Sequence, residues 1–114
     1  MALCVQEIDD VAVVATSGTL RGGPETEELE AKLRELCEQG FRKVLLDLSE
    51  STFMTSKAFG ILFGCVEGAD EKGVLFYLCS MHPRVRKVAD LIWHERAPRY
   101  FETRQLALAE LARS

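Results

Sequence analysis

Thr55, Ser56 and Lys57 set two hydroxyls and an amine side by side, between an apolar run that ends at Leu48 and a glycine-spaced apolar segment that begins at Ala58. A hydroxyl at such a junction has two ordinary uses. It caps a helix by accepting from the free N–H groups of the first turn, worth roughly 1 kcal/mol, or it stands at the carboxyl end of a strand, where α/β sheets present their functional groups. One residue suffices for the cap. If Thr55 takes that role, Ser56 becomes the first helical residue and its hydroxyl points outward. A hydrolytic nucleophile is a poor reading of Ser56, because no GxSxG turn surrounds it and only His82 and His94 could act as base.

Other residues invite other chemistry. Asp9, Asp10 and Asp47 could form the acidic triad of a phospho-aspartyl receiver, with the adjacent pair holding magnesium beside Asp47. Against this, a strand rather than a helix follows Asp10, and no lysine ends the run from Val74 to Cys79. Cys4, Cys37, Cys65 and Cys79 lie far apart in apolar surroundings, without CxxC spacing or a histidine ligand motif, and read as buried, reduced thiols. No GxGxxG or GxxxxGK[ST] loop suggests a nucleotide site, and no cofactor is expected. Trp93 is expected to pack beneath a helix, and Asp47 to cap a turn.

The elements that must position these residues follow from periodicity. Leu3 to Ile8 and Val11 to Thr16 are β-prone runs separated by Asp9 and Asp10, which predicts an antiparallel hairpin. Pro24 suits the first turn of a helix reaching Gln39, with Leu29, Leu33, Leu36 and Cys37 on one stripe and Gly40 as its stop. Val44 to Leu48 reads as a strand buried on both faces. Ala58 to Ala69 is a helix with Phe59, Leu62, Phe63 and Val66 inward, and Val74 to Cys79 is another buried strand. Pro83 opens a third helix with Val85, Val88, Ala89 and Ile92 inward. A short strand is expected near Tyr100 and Phe101, then a helix capped by Thr103 and running to about Ala112. Alternation with helices implies parallel pairing, so residues 1–114 are expected to form a single α/β domain, a mixed sheet that starts with an antiparallel hairpin and ends in a C-terminal helix.

Composition narrows the function. The 114 residues carry 14 Lys and Arg against 18 Asp and Glu, for a net charge of -4, which argues against broad nucleic-acid binding. No apolar run approaches the roughly 20 residues of a membrane span, and no leader-like segment precedes the first strand, so a cytoplasmic protein without membrane insertion is expected. Arg84, Arg86 and Lys87 form the densest basic cluster and are expected to face solvent. Gly60, Gly64 and Gly68 recur every four residues inside a helix, where each is destabilising by about 0.5 to 1 kcal/mol against alanine. A smooth ridge packed closely against the sheet or a neighbouring helix is the expected compensation; a ridge that receives another protein, or makes a homodimer, is the alternative.

The run "KVLLDLSESTFMTSKAFGIL" resembles the centre of the STAS domain of anti-sigma factor antagonists, in which an apolar strand ending in Asp-Leu leads through a Phe-Met/Ile-Asp-Ser-Ser-Gly-Leu-Gly turn into a helix. "VATSGTL", "GVLFYLCSMHPRVRKVADL" and "YFETRQLALAEL" are similar to three further segments of that family, in the same order. The resemblance implies a non-enzymatic binding protein. In the family, the serine at this turn is phosphorylated by an anti-sigma factor that is itself a serine kinase, and the unphosphorylated form captures that kinase. By position the acceptor is Ser56, with Thr55 as second choice, and the partner surface is Arg21, Thr55, Ser56, Lys57, Ala58, Gly60 and Gly64. The chain departs from the pattern at Thr55, where the family has Asp, at Lys57 and Ala58, where it has Ser-Gly, and at Arg21, where an acid is usual. The resemblance leaves a second function open, a constitutive scaffold or accessory subunit of a larger STAS-containing assembly.

Overall fold

The computed structural model describes residues 2–93 and 98–114. Its elements are β1 (Ala2–Ile8), β2 (Val11–Ser17), α1 (Pro24–Glu38), β3 (Lys43–Glu50), α2 (Ser56–Glu71), β4 (Leu75–Cys79), α3 (Pro83–Trp93), β5 (Arg99–Phe101) and α4 (Arg104–Ala112). The order is the expected one, and α2 starts two residues earlier than its apolar periodicity indicates. The strands form one sheet in the order β1-β2-β3-β4-β5. The β1–β2 hairpin is antiparallel and the other pairs are parallel. Asp9, at φ 57, makes the two-residue turn that closes the hairpin.

Alternation along the strands divides the core in two. Ala12, Val14, Val44, Leu46, Leu48, Phe76 and Leu78 face the inner sides of α1, α2 and α3, where Leu29, Leu33, Phe59, Leu62 and Val85 meet them. Val11, Val13, Leu45, Tyr77 and Cys79 face the other way and are covered by Ala107 and Leu111 of α4. β3 is therefore apolar without a break from Val44 to Leu46 because both its faces are dry.

Three expectations about burial need correction. Cys79 is buried and Cys37 and Cys65 are half-buried, but Cys4 is exposed, because β1 is an edge strand with one neighbour. Ile92 is 41% exposed and Trp93 takes its place in the core, its ring edge-on to Phe59 at 5.4 Å. The glycines of α2 do not serve close packing: a methyl group added at Gly60, Gly64 or Gly68 would meet nothing within 4 Å. Among the described residues no helix is long and apolar enough to cross a membrane.

Candidate functional site

Because β2, β3, β4 and β5 are parallel, the loops that follow them gather along one edge of the sheet, the carboxyl edge. The loops after β2 and β3 are joined by main-chain hydrogen bonds: Gly18 N–H donates to Glu50 O (3.0 Å), Leu20 N–H to Phe53 O (3.1 Å) and Thr55 N–H to Leu20 O (3.0 Å). Beneath them the Thr16 and Ser51 hydroxyls share a hydrogen bond of 2.7 Å in the core. The turn that carries Ser56 is thus held by a short parallel ladder, with Leu20 paired to Met54.

Within that frame the two hydroxyls divide their work. Thr55 is the N-cap of α2, its Oγ1 accepting from Ala58 N–H at 3.2 Å. Ser56 is the first helical residue and is exposed, and no described residue hydrogen-bonds to its hydroxyl. A phosphate there would sit at the positive end of a 16-residue helix.

Lys57 is exposed, yet its stem is held. It lies over Gly22, where an added methyl group would come within 2.6 Å of the Lys57 Cγ. Gly22 has φ +85, a conformation that glycine adopts freely. Arg21 is exposed, and its main-chain N–H donates to Glu25 Oε1 at 2.6 Å. Hydrogen bonds from the Arg21 N–H first, and then from the Glu25 and Gly23 N–H groups, hold the Glu25 carboxyl below its usual range. Phe53, beside the Leu20 pairing, is 44% exposed.

Of the residues expected to meet a partner, Arg21, Ser56 and Lys57 lie together on this edge, and Thr55 is half-buried beneath them. Gly60 and Gly64 are exposed on α2, and Gly64 lines a recess between α2 and Leu33, Arg34 and Cys37 of α1. Ala58 is a correction: it is sealed in the core at 0% exposure, because its side of the first turn of α2 faces the sheet, and it offers no surface to a partner. The ladder, the buried Thr16–Ser51 pair and Phe53 have no signal in local periodicity, since they join residues more than thirty positions apart. The recurrence of Gly18, Gly22 and Gly23 was their trace in the sequence.

The competing chemistry does not assemble. Asp9 and Asp10 occupy the hairpin turn at the opposite edge, where Asp10 pairs with Lys43 at 3.1 Å. Asp47 lies four residues along β3 from Lys43, about 13 Å away at strand rise. Its carboxylate is engaged by Arg104 Nε at 2.8 Å and accepts from Ser49 N–H at 2.9 Å. No cluster of three or more His, Cys, Asp or Glu among the described residues could hold a metal ion. A receiver site is therefore absent from them. His82 Nδ1 accepts from Arg84 N–H at 3.1 Å, and His94 lies outside the described residues. Burial, and then the Asp47 carboxylate, push the Cys79 thiol up to about 11, so it is no nucleophile at neutral pH.

In the loop after β4, Ser80 adopts φ 61 while its N–H donates to Phe101 O at 3.1 Å. Arg86 is not free as its sequence cluster suggests: it bonds Asp90 at 3.0 Å and stacks 3.9 Å above the Tyr100 ring. Arg84 and Lys87 remain exposed.

Fold, turn and ladder define an α/β domain with an exposed serine at the mouth of the sheet, and the STAS-domain family profile matches residues 2–107. The chain belongs to the STAS-domain family. It is 25% identical over 91 residues to BtrV of Bordetella bronchiseptica, described as an anti-sigma factor antagonist, covering 80% of this chain and 78% of that one. Its fold is shared with a structure from Thermotoga maritima, also described as an anti-sigma factor antagonist (TM-score 0.86, 21% identity, 96% of this chain and 94% of that one). It is shared as well with the anti-sigma factor antagonist SpoIIAA in its unphosphorylated form (TM-score 0.76, 18% identity, 99% of each chain), a Bacillus protein whose phosphorylated form is also solved.

Proposed function

We propose that this STAS domain is an anti-sigma factor antagonist that binds a kinase-type anti-sigma factor across its carboxyl edge and is released when Ser56 is phosphorylated. The observation that carries this reading is the division of labour at the turn. Thr55 caps the helix, so the exposed Ser56 hydroxyl has no structural duty to lose. The γ-phosphoryl group of ATP would pass to Ser56 Oγ, with ADP leaving and the hydroxyl proton released. The product adds about 1.5 to 2 negative charges to ground that a partner must desolvate, and a buried charge without its own counter-ion is strongly unfavourable. The helix end tolerates it, so binding is lost while the fold survives. ATP as donor goes with a cytoplasmic protein.

The test is coexpression with each kinase-type anti-sigma factor encoded in the same genome, followed by intact-mass measurement and peptide mapping. A single added phosphate on Ser56, lost in Ser56→Ala, is expected. No phosphate, or one mapped away from Ser56 and Thr55, would overturn the switch.

The open glycines favour a second reading, a constitutive scaffold docked along α2. A methyl group added at Gly60 or Gly64 would enter open space, so close packing against the described residues does not offset their helix penalty. Under that reading Ser56→Ala and Ser56→Asp leave partner capture unchanged, whereas Gly64→Phe abolishes it in a domain that still melts normally.

A further inference from the structure

The chain is acidic overall, at -4, yet of its exposed cations without an ion pair to a described residue, Arg21, Lys57, Arg84 and Lys87 lie at the carboxyl edge, against Arg42 and Lys72 at the opposite one. Arg21 and Lys57 flank Ser56, and Arg84 and Lys87 follow in the first turns of α3, on the adjoining loop. All four are exposed, and none makes an ion pair with a described residue. Three carboxylates of the same edge are occupied: Asp47 by Arg104, Glu25 by main-chain N–H groups, and Glu102 by Arg86 at 3.8 Å. Glu27 and Glu28 in the first turns of α1, and Glu50, are the exceptions, exposed and unpaired among the described residues. At the opposite edge lie Asp9, Asp10, Glu38, Asp70 and Glu71, at the hairpin turn and at the ends of α1 and α2.

We infer that the carboxyl edge is a cationic docking surface for a protein partner that presents acidic side chains around an apolar recess, with Arg21 and Lys57 as its specificity-determining cations and Phe53 as its anchor. This rests on the reading of the domain as a kinase-binding antagonist and names the chemistry the kinase must show. Three placements carry it. The Lys57 stem is packed on Gly22, one residue from Arg21, so the two charges project from neighbouring backbone with Lys57 already restrained. Phe53 is tied through its carbonyl to Leu20, the residue before Arg21. A 44% exposed phenyl on the segment bonded to the Arg21 loop has the composition of an interface anchor with a charged rim. A nucleic acid fits less well, because a polyanion longer than this patch meets the acids of the far edge, and phosphate contacts give no use to the phenyl.

The same placement gives phosphorylation a particular consequence here. A phosphoserine at 56 carries nearly the combined charge of Arg21 and Lys57, with opposite sign. It therefore cancels the field that the partner reads as well as adding an anion to the interface. Complementary fields act mainly on association rate and are screened by salt.

The experiment measures association of the purified domain with each kinase-type anti-sigma factor of the same genome, ATP-bound, across ionic strength. Arg21→Glu/Lys57→Glu should slow association by at least about tenfold at low salt and flatten its salt dependence. Lys57→Met, which keeps the stem over Gly22, should slow it several-fold, and Phe53→Ala should speed dissociation. Arg42→Glu/Lys72→Glu, at the far edge, should leave the rate within about twofold. If a kinase binds and the carboxyl-edge variants match wild type, the inference is wrong and the antagonist reading stands. If no kinase binds wild type, the antagonist reading falls and the inference with it. If the variants instead lose binding to heparin or phosphatidylserine vesicles while kinase binding is unchanged, the patch serves a polyanion or a membrane and the inference is overturned.

Discussion

The two edges of the sheet are built differently. At the amino edge the connections are tight: two aspartates turn the hairpin, Gly40 and Gly73 end helices at positive φ, and the Asp10–Lys43 ion pair ties the hairpin turn to the start of β3. At the carboxyl edge the loops after β2 and β3 hold each other through a parallel ladder and a buried pair of hydroxyls. The first kind of edge only returns the chain. The second spends tertiary hydrogen bonds on the position of a few exposed side chains, among them Ser56, Lys57 and Phe53, which is the expected construction of a binding site on a rigid scaffold.

Substitutions sharpen that contrast. Ser56→Asp should weaken kinase binding on the order of a hundredfold by titration calorimetry, through the buried anion, while Ser56→Ala stays near wild type and both melt normally. Ser51→Ala leaves the Thr16 hydroxyl buried without its partner and should destabilise the domain by about 1 to 3 kcal/mol in urea. Thr16→Val added to it should restore part of the loss, since an apolar pair leaves nothing unsatisfied. Thr55→Ala removes the cap and should lower stability by about 1 kcal/mol, a fall of roughly 4 °C in melting temperature. Asp10→Asn, at the amino edge, should change stability by less than about 0.5 kcal/mol, because Asp10 is mostly exposed and its pair with Lys43 is screened. An Asp10→Asn effect as large as that of Ser51→Ala would erase the distinction between the edges.

Much of this was legible from the residues. Periodicity and punctuation located every strand and helix, because each element follows its own local rule: β-prone runs parted by Asp9 and Asp10 in β1 and β2, an unbroken apolar run in β3, a proline in the first turn at Pro24 and a cap at Thr103. That one of the two hydroxyls is spare was legible too, since two adjacent hydroxyls at one helix start have only one capping position between them; the structure gives that position to Thr55. The long-range features were not. That Gly22 lies under Lys57 and that Leu20 pairs with Met54 depends on how β2 and β3 adjoin, which local pattern does not encode. The glycine spacing of α2 misled for the same reason. A ridge on the packed side and a ridge on the open side have identical sequence, and only the placement of the sheet tells them apart.

The central claim is that a partner covers the carboxyl edge. Amide hydrogen exchange of the domain, free and bound to its kinase, tests it most directly. Slowed exchange confined to residues 18–23, 51–57 and 81–87 is the predicted result; protection at the hairpin turn and the ends of α1 and α2, with the Ser56 turn unchanged, would contradict it.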